Sequence, residues 1–72
     1  MNKVTQKQLD KDAVTGQVTI WIQSGPEYDN TWKYQWISRV TEQGHVLRRF
    51  GSGKTLDQAI MDSTKEVIVD ET

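Results

Sequence analysis

The stretch Gly51-Ser52-Gly53-Lys54-Thr55 carries the residue types that hold phosphate. Glycines followed by Lys-Thr at the start of a helix end a Walker loop. There, main-chain N–H groups cradle the phosphates and the hydroxyl meets magnesium. The full spacing requires a glycine at position 48, where this chain has Arg48. It also requires a parallel βαβ sheet and an acidic metal partner on another strand, for which 72 residues leave no room. Gly51 and Gly53 therefore read as a sharp strand-to-helix turn, with Thr55 as the helix cap. Lys54, beside a helix N-terminus, remains a candidate for holding one backbone phosphate of a nucleic acid.

Other reactive groupings are missing. The chain has one histidine, His45, beside a turn glycine, and no cysteine. A tetrahedral zinc site has no ligand set here, and a serine nucleophile would lack a base. Most carboxylates fall on the outer face of the expected C-terminal helix. Paired-acid catalysis needs two of them held in a cleft. The expectation is a protein that is not an enzyme and uses no cofactor and no metal.

The elements that must position any contact residues are read from periodicity. Gln17 to Gln23 alternates, with Val18, Ile20 and Ile22 on one side and Thr19, Trp21 and Gln23 on the other. Alternation of β-branched residues predicts a strand. Residues 24–30, containing Pro26, predict a loop. Residues 31–40 alternate again, with Trp32, Tyr34 and Trp36 opposite Lys33, Gln35, Ile37 and Arg39. Gly44 supplies a second turn, and residues 45–50 form a third strand of ambiguous facing. From Thr55, Leu56, Ala59, Ile60, Ser63, Val67 and Ile68 make a helical stripe, with a capping box at Thr55 and Gln58. Residues 1–16 are polar and read as a flexible arm, or at most one short helix. Residues 17–69 form the domain and 70–72 a polar tail. The predicted fold is α+β: a three-stranded antiparallel sheet followed by one C-terminal helix packed on one face, β-β-β-α.

Composition narrows the class further. A chain of 72 residues makes one domain with a modest core. Net charge is -1 overall, distributed as +1 over residues 1–16, +2 over 17–54 and -4 over 55–72. The start of the chain lacks the apolar run of a signal peptide, and nothing approaches a membrane span. A cytoplasmic protein with no membrane partner is expected.

The remaining question is what covers the second side of the sheet. Alternation puts Thr19, Trp21, Gln23, Lys33, Gln35, Ile37, Arg39 and one of Arg48 or Arg49 there. Indole and aliphatic groups among Arg, Lys and Gln suit a contact surface. We expect nucleic-acid or partner binding through Trp21, Lys33, Gln35, Ile37, Arg39, Arg48, Arg49 and Lys54. The segment WKYQWISRVTEQGHVLRRFGSGKTLDQAI resembles, in its order of strand, turn, strand, loop and helix, the arm-binding N-terminal domains of phage integrases. The resemblance covers about residues 17–69 and implies a sheet face laid on double-stranded DNA. Those domains are strongly basic and precede a recombinase part, and this chain matches neither feature. The size and the lysine-rich start of the chain also suit a phage or prophage accessory protein contacting DNA. The alternative is an interaction module or inhibitor docked on a host protein. A homodimer burying Trp21 and Ile37 between two sheet faces is also open.

Overall fold

The computed structural model describes residues 1–26 and 28–71, with the side chains of Tyr28, Asp29 and Glu71 set aside. Its elements are α1 Lys3–Thr15, β1 Gly16–Gly25, β2 Tyr28–Ser38, β3 His45–Gly53, α2 Leu56–Ser63 and β4 Ile68–Glu71. The four strands form one sheet in the order β1-β2-β3-β4, and every neighbouring pair is antiparallel. The α+β class and the three antiparallel strands stand as expected. The arrangement is α-β-β-β-α-β, with a helix before the sheet and a fourth strand after α2.

The alternating residues of β1 and β2 pair in register, so Val18, Ile20 and Ile22 lie opposite Trp36, Tyr34 and Trp32. The ladder continues past the expected strand ends to Gly25 and Tyr28, with one irregularity between Gln23 and Gly25. The loop expected at 24–30 is therefore mostly strand; Glu27 and Thr72 lie outside the described residues. Gly44 adopts φ 81° in the β2–β3 connection, a conformation that favours glycine.

The C-terminal helix is shorter than the apolar spacing suggested. Hydroxyls of Ser63 and Thr64 donate to the carbonyls of Ile60 and Met61, at 2.6 and 2.7 Å, in its last turn. Val67, Ile68 and Val69 then make a β-branched run, which favours extended backbone. Residues Ile68–Glu71 accordingly pair with His45–Arg48 as β4. At the other end, the Thr55 hydroxyl accepts from the Gln58 N–H and the Gln58 side chain accepts from the Lys54 N–H.

Residues 3–15 form a docked helix rather than a free arm. Asn2 caps it by accepting from the Thr5 N–H at 2.9 Å. The buried positions are Thr5 and Asp12, with Leu9 packed partly against the core. The Asp12 carboxylate accepts from the Tyr34 hydroxyl at 2.6 Å, from the Gln8 amide at 2.9 Å, and from the Arg49 guanidinium. The Trp36 indole N–H donates to the Asp12 carbonyl at 3.1 Å, and Arg49 stacks on the Trp36 ring. Thr5 donates to Asp57, joining α1 to α2. The core proper is Tyr34, Trp36, Ala59 and Ile60. α2 sits so close to β3 that a Cβ on Gly51 would collide with the main chain of Ala59 and Ser63.

Candidate functional site

Both helices pack on the same side of the sheet, the side of Tyr34, Trp36, Arg49 and Gly51. The other side is open. Register sets its residues in ranks across the strands. Gln17, Ile37, Arg48 and Ile68 form one rank; Thr19, Gln35 and Phe50 form the next; Trp21, Lys33 and Ser52 form the third. Trp21 is 40 % exposed and Phe50 46 % exposed. They stand on β1 and β3, in adjacent ranks and so roughly 12 Å apart by strand spacing and rise, with Lys33 and Gln35 between them on β2. A depression opens between the two aromatics, lined by Trp21, Gln23, Lys33, Phe50 and Ser52, with a volume of about 310 Å³.

Asp62 of α2 reaches round the edge of β3 to close one end of this depression. Its carboxylate accepts from the Ser52 N–H at 3.0 Å, satisfying an edge donor beyond the reach of β4. That hydrogen bond holds the carboxyl below its usual range, with Lys65 and Lys33 adding smaller contributions. Lys33 thus faces an acid at the rim.

The expected contact residues are not all on this surface. Trp21, Lys33, Gln35, Ile37 and Arg48 are. Arg39 is exposed but lies past the last paired residue of β2. Lys54 is exposed in the turn before α2, past the last paired residue of β3. Arg49 is a correction: it is 7 % exposed and ion-paired to Asp12 on the helix side. Odd-numbered β3 residues face the helices because Gly51 and Gly53 make room for α2 there, so Arg49 turns inward with them.

Phe50 and Ile68 belong to the open face and were not among the expected contacts. The signal for Phe50 was present in the sequence. Two glycines at i and i+2 in a strand mark the side where another backbone comes close, which sends the residues alternating with them, Phe50 and Ser52, outward. Ile68 was hidden by its apparent place in the helical stripe.

Charge on the open face is balanced. Arg48 pairs with Asp70 of β4, and Lys33 has Asp62 at the rim. In the first turn of α2 the Gln58 N–H donates to the Thr55 hydroxyl, and Asp57 is engaged by Thr5. Among the described residues no three His, Asp or Glu side chains are grouped to hold a metal, and no helix is long and apolar enough to cross a membrane. Comparison with protein families, curated proteins and solved structures finds no match to this chain.

Proposed function

We propose that this protein is a non-enzymatic binding module whose open sheet face docks on another protein, with an apolar or aromatic side chain of the partner seated between Trp21 and Phe50. The observation that carries the reading is the pair of half-exposed aromatics flanking a depression also lined by Gln23, Lys33 and Ser52. Interface anchors are enriched in aromatic side chains with polar groups around them, and here two rings stand either side of Lys33 and Gln35. Gln35, opposite Phe50 on β2, offers both donor and acceptor beside the depression, and Arg48 with Asp70 supplies a polar border.

A duplex partner was the leading expectation from the sequence, and the charge balance weighs against it. Non-specific DNA affinity comes from unpaired cations released onto phosphates. Here Arg49 is buried, Arg48 is paired, and Asp62 and Asp70 border the same surface. A sheet that enters the major groove needs a cationic face, which this one does not present.

A photo-reactive amino acid at Gln35 tests the reading in an extract of the native source. Proteins cross-linked there, and lost in both Trp21→Ala and Phe50→Ala, support it. Cross-linking to nucleic acid, or protein cross-links indifferent to both substitutions, refute it. Titration with duplex DNA at low and moderate salt is the companion arm; tight binding with a steep salt slope would restore the DNA reading.

A further inference from the structure

β1 is the long free edge of the sheet. Its ten residues, GQVTIWIQSG, contain no charged side chain and no proline. In an antiparallel sheet every second residue of an edge strand directs its N–H and C=O outward. Natural edges are usually blunted by lysine, proline, bulges or a covering element. The other edge follows that practice: β4 is four residues long and carries Asp70 and Glu71. β1 does not. Its only irregularity falls at its far end, between Gln23 and Gly25.

The side chains along this edge are bare on both sides of the sheet. Ile20 and Ile22 are 37 % and 48 % exposed on the helix side, and Trp21 is exposed on the open side. The hydrogen bond from Thr5 to Asp57 draws the N-terminal half of α1 toward α2. Neither helix therefore covers the outer half of β1, although the alternation of Val18, Ile20 and Ile22 marks them as core residues.

We infer that a second copy of this chain pairs with β1, antiparallel and edge to edge about a twofold axis, to give one continuous sheet. The self-complementarity of the strand selects this occupant. An uncharged strand meets its own copy without like charges opposed, whereas pairing β1 to the acidic, short β4 of another copy would build an open chain of molecules. One register fits all three bare residues. With the axis at Trp21, the two indoles are opposite each other on the open side. Ile20 then lies opposite the second copy's Ile22, twice, on the helix side. Keeping both helix layers on the same side requires pairing even-numbered with even-numbered positions, which this register does. Cross-strand pairs of β-branched and aromatic residues are the stabilising unit of such a ladder. The buried surface of a single strand pair falls at the small end of specific interfaces, so the dimer is concentration-dependent. The two open faces become one surface, with the Trp21 depressions on either side of the axis. This inference does not depend on what the open face binds.

Sedimentation velocity from low-micromolar to near-millimolar concentration reads the association, and amide exchange by mass spectrometry reads its location. The expected result is a monomer–dimer equilibrium in which β1 amides slow with concentration while β4 amides do not. Ile22→Lys, placed on the helix side and clear of the open face, should weaken the dimer roughly tenfold or more by adding a charge beside the ladder. Exchange in the unmodified chain keeps the test decisive even if that variant folds poorly. A monomer at all concentrations with β1 exchange unchanged overturns the inference. So does a dimer whose protected amides lie in β4, or on the open face with β1 unaffected.

Discussion

The Asp12 network gives the sharpest stability prediction, for the substitution Asp12→Ala. The carboxylate is 1 % exposed and receives the Arg49 guanidinium, the Tyr34 hydroxyl and the Gln8 amide. Removing it leaves a cation buried at 8 % side-chain exposure without its partner. Breaking a buried ion pair from one side costs about 3–5 kcal/mol. A deprived buried hydroxyl adds about 1–3 kcal/mol, not additively. A chain of this size holds only about 3–5 kcal/mol in total. Asp12→Ala should therefore remove most of the stability. The assay is urea unfolding at neutral pH followed by tryptophan fluorescence, since Trp36 lies under Arg49. The triple variant Asp12→Leu, Tyr34→Phe, Arg49→Met removes the ion pair and the buried hydroxyl together, leaving only the Gln8 amide without its acceptor, and should regain most of the loss. A cost below about 1 kcal/mol for Asp12→Ala would mean that the carboxylate is solvated and α1 undocked. A triple variant no better than the single one would place the cost in helix packing instead of the stranded charge.

Two further perturbations follow from the same packing. Gly51→Ala should destabilise by about 2 kcal/mol or more, because its methyl would collide with the backbone of α2; an unchanged urea midpoint would mean α2 does not sit on β3. Burial, then the hydrogen bond and charge of Asp12, hold the Tyr34 hydroxyl well above the usual tyrosine range, with Arg49 pulling the other way. The folded chain thus keeps this proton longer than the unfolded one. Its contribution is intact below about pH 10 and is lost as pH rises beyond that. Urea midpoints across that range should fall for the natural chain and fall less for Tyr34→Phe; equal slopes would contradict the assignment.

The sheet was legible because alternation is a strong signal. Val18, Ile20 and Ile22 against Trp21 fixed the facing of β1, and Trp32, Tyr34 and Trp36 against Lys33 and Gln35 fixed that of β2. α1 was not legible as a docked helix because its helical spacing is written in polar residues. Thr5, Gln8 and Asp12 recur on one face, but they bind through hydrogen bonds and an ion pair, which a hydrophobic stripe does not register. β4 was hidden because Val67 and Ile68 also satisfy a helix period. Their β-branching, together with Ser63 and Thr64 at the end of α2, decides for a strand. In the candidate site, Arg48 and Arg49 could not be separated by type, since either could be the outward one. The close approach of α2 at Gly51 decides it, and that is a property of packing rather than of composition.

Binding at the open face is tested most directly by titrating a protein captured there against the natural chain and against Trp21→Ala. A central aromatic anchor carries about 2 kcal/mol or more, so the variant should bind roughly thirtyfold more weakly. Its urea midpoint should stay close to that of the natural chain, because Trp21 is 40 % exposed and outside the core. Equal affinity for the two chains, or unfolding of the variant, would contradict the assignment of this face as the binding surface.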